Sequence, residues 1–167
     1  MKKISTSFLS IVVLLLISSC SKDDKIEVVQ VDNSGNSSAR TICVSGMAAN
    51  YPCKEYDLMS LVTLKDMSTT FVNDSWGWTD PTTNKEYAIV GLNNGTAFVD
   101  ITDAVNPIYL GKLATASENS IWRDVKVYNN HAFIVSEASN HGMQVFDLTK
   151  LRTATSNLPI TFTADTH

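Results

Sequence analysis

Two stretches of this chain repeat each other in order and chemistry. Tyr87-Ala88-Ile89-Val90 followed by Gly95-Thr96-Ala97-Phe98-Val99-Asp100-Ile101-Thr102 returns as His131-Ala132-Phe133-Ile134-Val135 followed by Gly142-Met143-Gln144-Val145-Phe146-Asp147-Leu148-Thr149. Self-similarity constrains a fold more tightly than composition does, because each copy must be the same supersecondary unit and must bury its apolar face against a neighbour. The copies lie 44 residues apart at the alanines and 47 apart at the Gly and Asp positions, so the second carries the longer connection, Ser136 to His141. Runs rich in Val, Ile, Tyr and Phe, separated by short turns and without helical periodicity, define an all-β class. Asn94-Gly95 suits a tight hairpin turn and predicts antiparallel pairing of Glu86 to Gly91 with Thr96 to Thr102. After Asn106-Pro107, Ile108 to Leu113 reads as a fourth, outer strand, and the next unit opens near Trp122. Four short antiparallel strands with a period in the mid-forties have the size of a β-propeller blade.

On that reading residues 41-167 form a partial β-propeller of about two and a half blades, whereas a closed ring needs at least four. Thr161-Phe162-Thr163 reads as the start of a further strand. The expectation is a fragment of a longer product.

The beginning of the chain carries a different message. Lys2 and Lys3 precede an apolar run from Ile4 to Ile17, then Ser18-Ser19-Cys20. A run of about 14 residues is short of the roughly 20 that span a bilayer as a helix, and it fits the core of an export signal. Small residues before Cys20 resemble the lipobox of bacterial lipoproteins, in which that cysteine is acylated. Residues 1-19 are then a lipoprotein signal peptide and 20-40 a flexible, polar tether. A second acyl chain makes anchoring stable where one is marginal. Ser21, in place of an inner-membrane-retaining aspartate, favours the outer membrane. Lys22-Asp23-Asp24 looks like a short signal for display at the cell surface.

Charge and cysteines narrow the partners. The net charge of −4 becomes −6 once Lys2 and Lys3 leave with the signal, which disfavours nucleic acid, a partner that demands clustered Lys and Arg. In an oxidising compartment the two remaining cysteines, Cys43 and Cys53, most simply form one disulfide. Two thiols without a neighbouring His do not complete a zinc site.

A family resemblance rests on Trp76-Gly77-Trp78-Thr79-Asp80-Pro81, Glu86 to Gly91, Asn94 to Asp100, Trp122-Arg123-Asp124-Val125-Lys126-Val127-Tyr128 and His141 to Leu148. From about Cys43 to Arg152 the chain resembles the choice-of-anchor B family, whose repeats are similar to the LVIVD propeller repeat. The resemblance implies export and attachment at the cell surface, for which a lipobox is one device. It brings no catalytic motif.

Candidate chemical groups are Asp80, Glu86, Asp100, Asp124, Glu137, Asp147, His131 and His141, none in a motif that demands catalysis. Asp100 and Asp147 recur before Thr at equivalent strand ends, which suits turn capping. The sequence therefore offers no catalytic residue, no metal site and no cofactor. Trp122, Arg123 and Asp124 stand at the start of an innermost strand that would face the channel. Arg123 there either pairs with Asp124 or another acid, or helps to form a polar-ligand site. Trp76 and Trp122, 46 residues apart, read as blade-packing residues, with sugar stacking as the other reading. His131 and His141 read as solvent-facing or turn-bonding. The expected function is a lipid-anchored, non-catalytic propeller that presents a loop face to a protein or glycan. The alternative is an extracellular propeller enzyme, a hydrolase or lyase on a polymer, with its site completed by further blades.

Overall fold

A computed structural model describes residues 40–167. Cys20, the leader and all but the last residue of the tether lie outside the described residues. Arg40 itself is tied to Asp57, with Nη2 2.6 Å from Oδ2.

Two short strands, β1 (Met47–Ala48) and β2 (Tyr51–Pro52), pair antiparallel. Cys43 and Cys53 flank them and are disulfide-bonded, Cα atoms 5.9 Å apart. The body then contains two sheets. In the first, β3 (Val72–Thr79), β4 (Glu86–Leu92), β5 (Gly95–Asp100) and β6 (Ile108–Ala114) form an antiparallel meander. The second contains β7 (Arg123–Tyr128), β8 (His131–Ser136) and β9 (Met143–Asp147), also antiparallel. A 3-10 helix over Leu148–Thr153 follows, and then β10 (Ile160–Phe162).

Alternation along each strand sorts the side chains. Trp78, Tyr87, Ile89, Phe98, Leu110 and Leu113 of the first sheet meet Val125, Ala132, Ile134 and Phe146 of the second, closed off by Leu148, Leu151 and Ala154. At the centre the Phe98 and Phe146 rings stack at 4.6 Å, and Phe162 lies edge-on 5.3 Å from each. On the far face of the first sheet, Val90, Leu92, Ala97 and Tyr109 pack against Val62 and Met67. Both faces of β5 are thereby covered, and all six of its residues are buried. The second sheet has no such cover on its far face among the described residues, and Val135 and Met143 are exposed there.

Three expectations need correction. The β4–β5 register pairs Leu92 with Gly95, so the turn is Asn93-Asn94 and not Asn94-Gly95, and neither asparagine takes a positive φ. Gly95 is required for closeness instead, since a Cβ there would lie 2.3 Å from the Leu113 carbonyl oxygen. The two-residue turn with both central φ values positive is Asn129-Asn130, at 47° and 60°, the mirror-image geometry that suits a twisted hairpin.

The second correction concerns the last strand. Thr161 and Phe162 do not open another unit: β10 adds in parallel to the edge of β6 in the first sheet. Gly111, at φ +137°, admits it, because a Cβ there would lie 1.9 Å from the Ile160 carbonyl oxygen. Beyond β10, Asp165 N–H donates to Val145 O at 2.8 Å and Val145 N–H donates to Thr166 O at 2.9 Å. The chain end therefore bonds to both sheets. Third, the four-strand meander occurs once: β10 extends the first sheet to five strands, the second has three, and no closed ring forms among the described residues.

A buried ion pair helps to tie the units together. Asp80, fully buried at the end of β3, accepts from Arg152 Nε at 2.7 Å and Nη2 at 2.6 Å. The Thr82 N–H and Thr83 hydroxyl complete its shell. The Arg152 guanidinium holds the Asp80 carboxyl well below the usual carboxylate range. A depressed folded-state pKa adds stability that is present above the ordinary value, about 4, and is lost as pH falls below it. Between pH 5 and pH 3 the melting temperature should fall less steeply for Asp80→Asn, already destabilised at neutral pH, than for the wild type. Parallel melting curves would show the ion pair to be unimportant.

Candidate functional site

The first strands of the two sheets, β3 and β7, run beside each other without a shared ladder. Asn73 Nδ2 donates to Arg123 O at 2.6 Å, and Val125 N–H donates to Asp74 Oδ2 at 2.8 Å. Side chains of β3 thus satisfy backbone groups on the open edge of β7, which would otherwise need water or another strand. Alternation in Arg123-Asp124-Val125-Lys126-Val127-Tyr128 turns Arg123 and Val125 inward and Asp124, Lys126 and Tyr128 outward.

The outward residues gather with β3. Lys126 Nζ sits 4.7 Å above the Trp76 ring centroid, bonds Asp124 and lies 3.9 Å from Asp74 Oδ2. That ammonium holds the Asp124 carboxyl below its ordinary value. No sequence pattern groups Trp76, Asp74 and Lys126; the approach of β7 to β3 brings them together.

Trp122 lies just before β7 and its side chain is largely exposed, at 58%. Its backbone is fixed nevertheless. Its N–H donates to Ser120 Oγ at 3.1 Å, while its carbonyl accepts from Ser120 Oγ, Ser136 Oγ and the Glu137 N–H at 3.0 to 3.3 Å. Trp122, Arg123, Asp124, Val135, Ser136 and Glu137 line an open depression of about 280 Å³.

Arg123 departs from the ion-pair reading. It is 3% exposed, and its guanidinium meets no carboxylate among the described residues. Nε donates to Leu92 O at 3.0 Å, Nη2 to Thr115 Oγ1 at 3.0 Å and Nη1 to His141 Nε2 at 2.8 Å. A guanidinium can only donate, so His141 accepts at Nε2 and keeps its proton on Nδ1, which donates to Gly142 O at 3.0 Å. Burial pushes the Arg123 pKa down. The residue is a strut from the second sheet to the β4–β5 hairpin and the loop after β6.

His141 accordingly corrects its own expectation: it is 1% exposed, inside the longer loop of the second copy, and its carbonyl accepts a bond from the His167 ring. His131 bonds Asn129 O through Nδ1 across its turn. The tryptophan expectation also changes. Trp78 is the packing residue, stacked on Tyr87 at 5.2 Å, while Trp76 and Trp122 are exposed. The two recurring aspartates sit at turns: Asp100 accepts from the Thr102 N–H and from Lys85, and Asp147 accepts from the Thr149 N–H to cap the 3-10 helix.

No protein-family profile, no curated protein and no solved structure matches this chain.

Proposed function

We propose that this chain is a lipid-anchored binding protein of the outer membrane, displayed at the cell surface, whose sheets are blades of a β-propeller of the choice-of-anchor B type. The observation that carries the propeller reading is the direction in which the repeats stack. Tyr87, Ile89 and Phe98 of the first sheet face the second. Their repeat equivalents His131, Phe133 and Val145 sit on the face of the second sheet turned away from the first. Ile134, Gln144 and Phe146 face the first sheet, as their equivalents Val90, Ala97 and Val99 face the side from which the chain enters. The same face therefore points the same way in each unit. With β3 and β7 edge to edge, that is the head-to-tail geometry of blades around an axis.

The lipid anchor rests on Cys20, the surface address on Lys22-Asp23-Asp24, and the ligand face on the ends of the inner strands around Trp122, Arg123 and Asp124. A protein or glycan is the partner, and nucleic acid is not. No catalysis is assigned, because Asp80, Asp100, Asp124 and Asp147 all serve turns or ion pairs. Labelling of growing cells with a tagged fatty acid tests the anchor. The wild-type chain should take up label and partition with detergent, and Cys20→Ser should do neither. Protease added to intact cells should cleave the wild-type chain; unlabelled protein recovered from the medium would overturn the reading.

A further inference from the structure

We infer that the depression at Trp122 is a saccharide subsite for a neutral pyranose, held by its apolar face on the indole and by its hydroxyls on the surrounding polar groups. The inference rests on the reading of this chain as a ligand-binding module and specifies the ligand class.

Rigidity is the first argument. Four hydrogen bonds fix the Trp122 backbone, yet the side chain is left mostly in solvent. A large exposed aromatic group on a fixed backbone loses little conformational freedom when a ligand covers it. Trp78 shows the contrast, because its indole is buried and its Nε1 donates to Asn130 at 3.2 Å. The Trp122 indole N–H has no hydrogen-bond partner among the described residues, and neither does the Glu137 carboxylate. Trp122 and Glu137 both line the depression, so a residue with a free donor and an apolar ring and a residue with free acceptor oxygens meet at one place. That combination matches a sugar ring, which offers C–H groups on its face and hydroxyls around its rim.

Charge selects among sugars and excludes other ligands. The lining carries Arg123 against Asp124 and Glu137, and Lys126 neutralises Asp124 from outside. The four charges cancel. An anionic ligand would meet the free Glu137 carboxylate, while the Arg123 guanidinium is buried and already engaged on three acceptors. A cationic side chain would find only one uncommitted carboxylate. The volume, about 280 Å³, falls just below the usual range for small-molecule pockets and suits one ring within a longer chain.

Calorimetric titration of the full chain in detergent tests this with neutral β-glucan, xylan and mannan oligosaccharides, an oligogalacturonate and a lysine-rich peptide. At least one neutral oligosaccharide should bind. Trp122→Ala should weaken it at least tenfold and Glu137→Gln severalfold, with unchanged melting temperatures, while Trp122→Tyr should keep much of the affinity. Tyr56→Ala, which removes an exposed aromatic ring outside the lining, should leave binding intact. Absence of heat with every neutral sugar overturns the inference, as does binding that survives Trp122→Ala. If the peptide alone binds and Trp122→Ala abolishes it, the site remains a binding face and only the saccharide assignment fails. The acylation experiment is independent of all these outcomes.

Discussion

Phe146→Ala should destabilise the folded chain by about 3–5 kcal/mol, the range for removing a buried aromatic ring. Phe146 is fully buried between the sheets, stacked on Phe98 and met edge-on by Phe162. The walls of the resulting cavity are strands held in ladders on both sides, so they relax little and the void remains. A loss of that size is a large share of the total stability of about 5–15 kcal/mol expected of a domain. Urea unfolding of the full chain measures it, with Phe133→Ala as the control. Phe133 sits on the uncovered face of the same sheet and should cost about 1 kcal/mol or less. Equal losses at the two positions would mean that the sheets do not pack as described.

Arg123→Ala should be nearly as damaging, at about 3 kcal/mol, because it takes the donor from two buried acceptors and one half-buried acceptor at once. Leu92 O, Thr115 Oγ1 and His141 Nε2 each receive a bond from this guanidinium, and an unsatisfied buried polar group costs about 1–3 kcal/mol. Arg123→Lys should recover little of the loss, since one ammonium on a flexible stem cannot reproduce a planar fork with donors in three directions. The His141 imidazole provides a local readout. In the wild type its Nδ1 proton should be slow to exchange and visible by NMR; in Arg123→Ala it should broaden or vanish. Wild-type stability in Arg123→Lys would show that charge, not geometry, is what this position requires.

These residues also mark how far the sequence could be read. The repeated hairpins, the all-β class and the strand at Ile108–Ala114 follow from period-two alternation, a local property. Arg123 was legible in principle, for it shares a strand face with Val125 and Val127, and that face is the buried one. The tryptophan equivalence failed for a countable reason. Spacing pairs Trp76 with Trp122, but register sets Trp78 opposite Tyr87 and Tyr128 opposite His131, so Trp78 corresponds to Tyr128. A register shift between Val72 and Ser75, together with unequal loops, breaks the count. Burial of His141 depends on the longer loop folding back onto Arg123, and the partner of β10 lies far along the chain. Neither leaves a local pattern.

The partnership of β10 with β6 has a consequence in time. Gly111 pairs with Ile160, so about 50 residues must emerge after β6 before its partner strand is present. The neighbouring hairpins close in microseconds. Until β10 arrives, β6 is an open edge, able to pair with a strand from another chain. Errors in the folding of this protein should therefore concentrate between the emergence of the first sheet and the arrival of Ile160, and a chaperone that shields strand edges would act there.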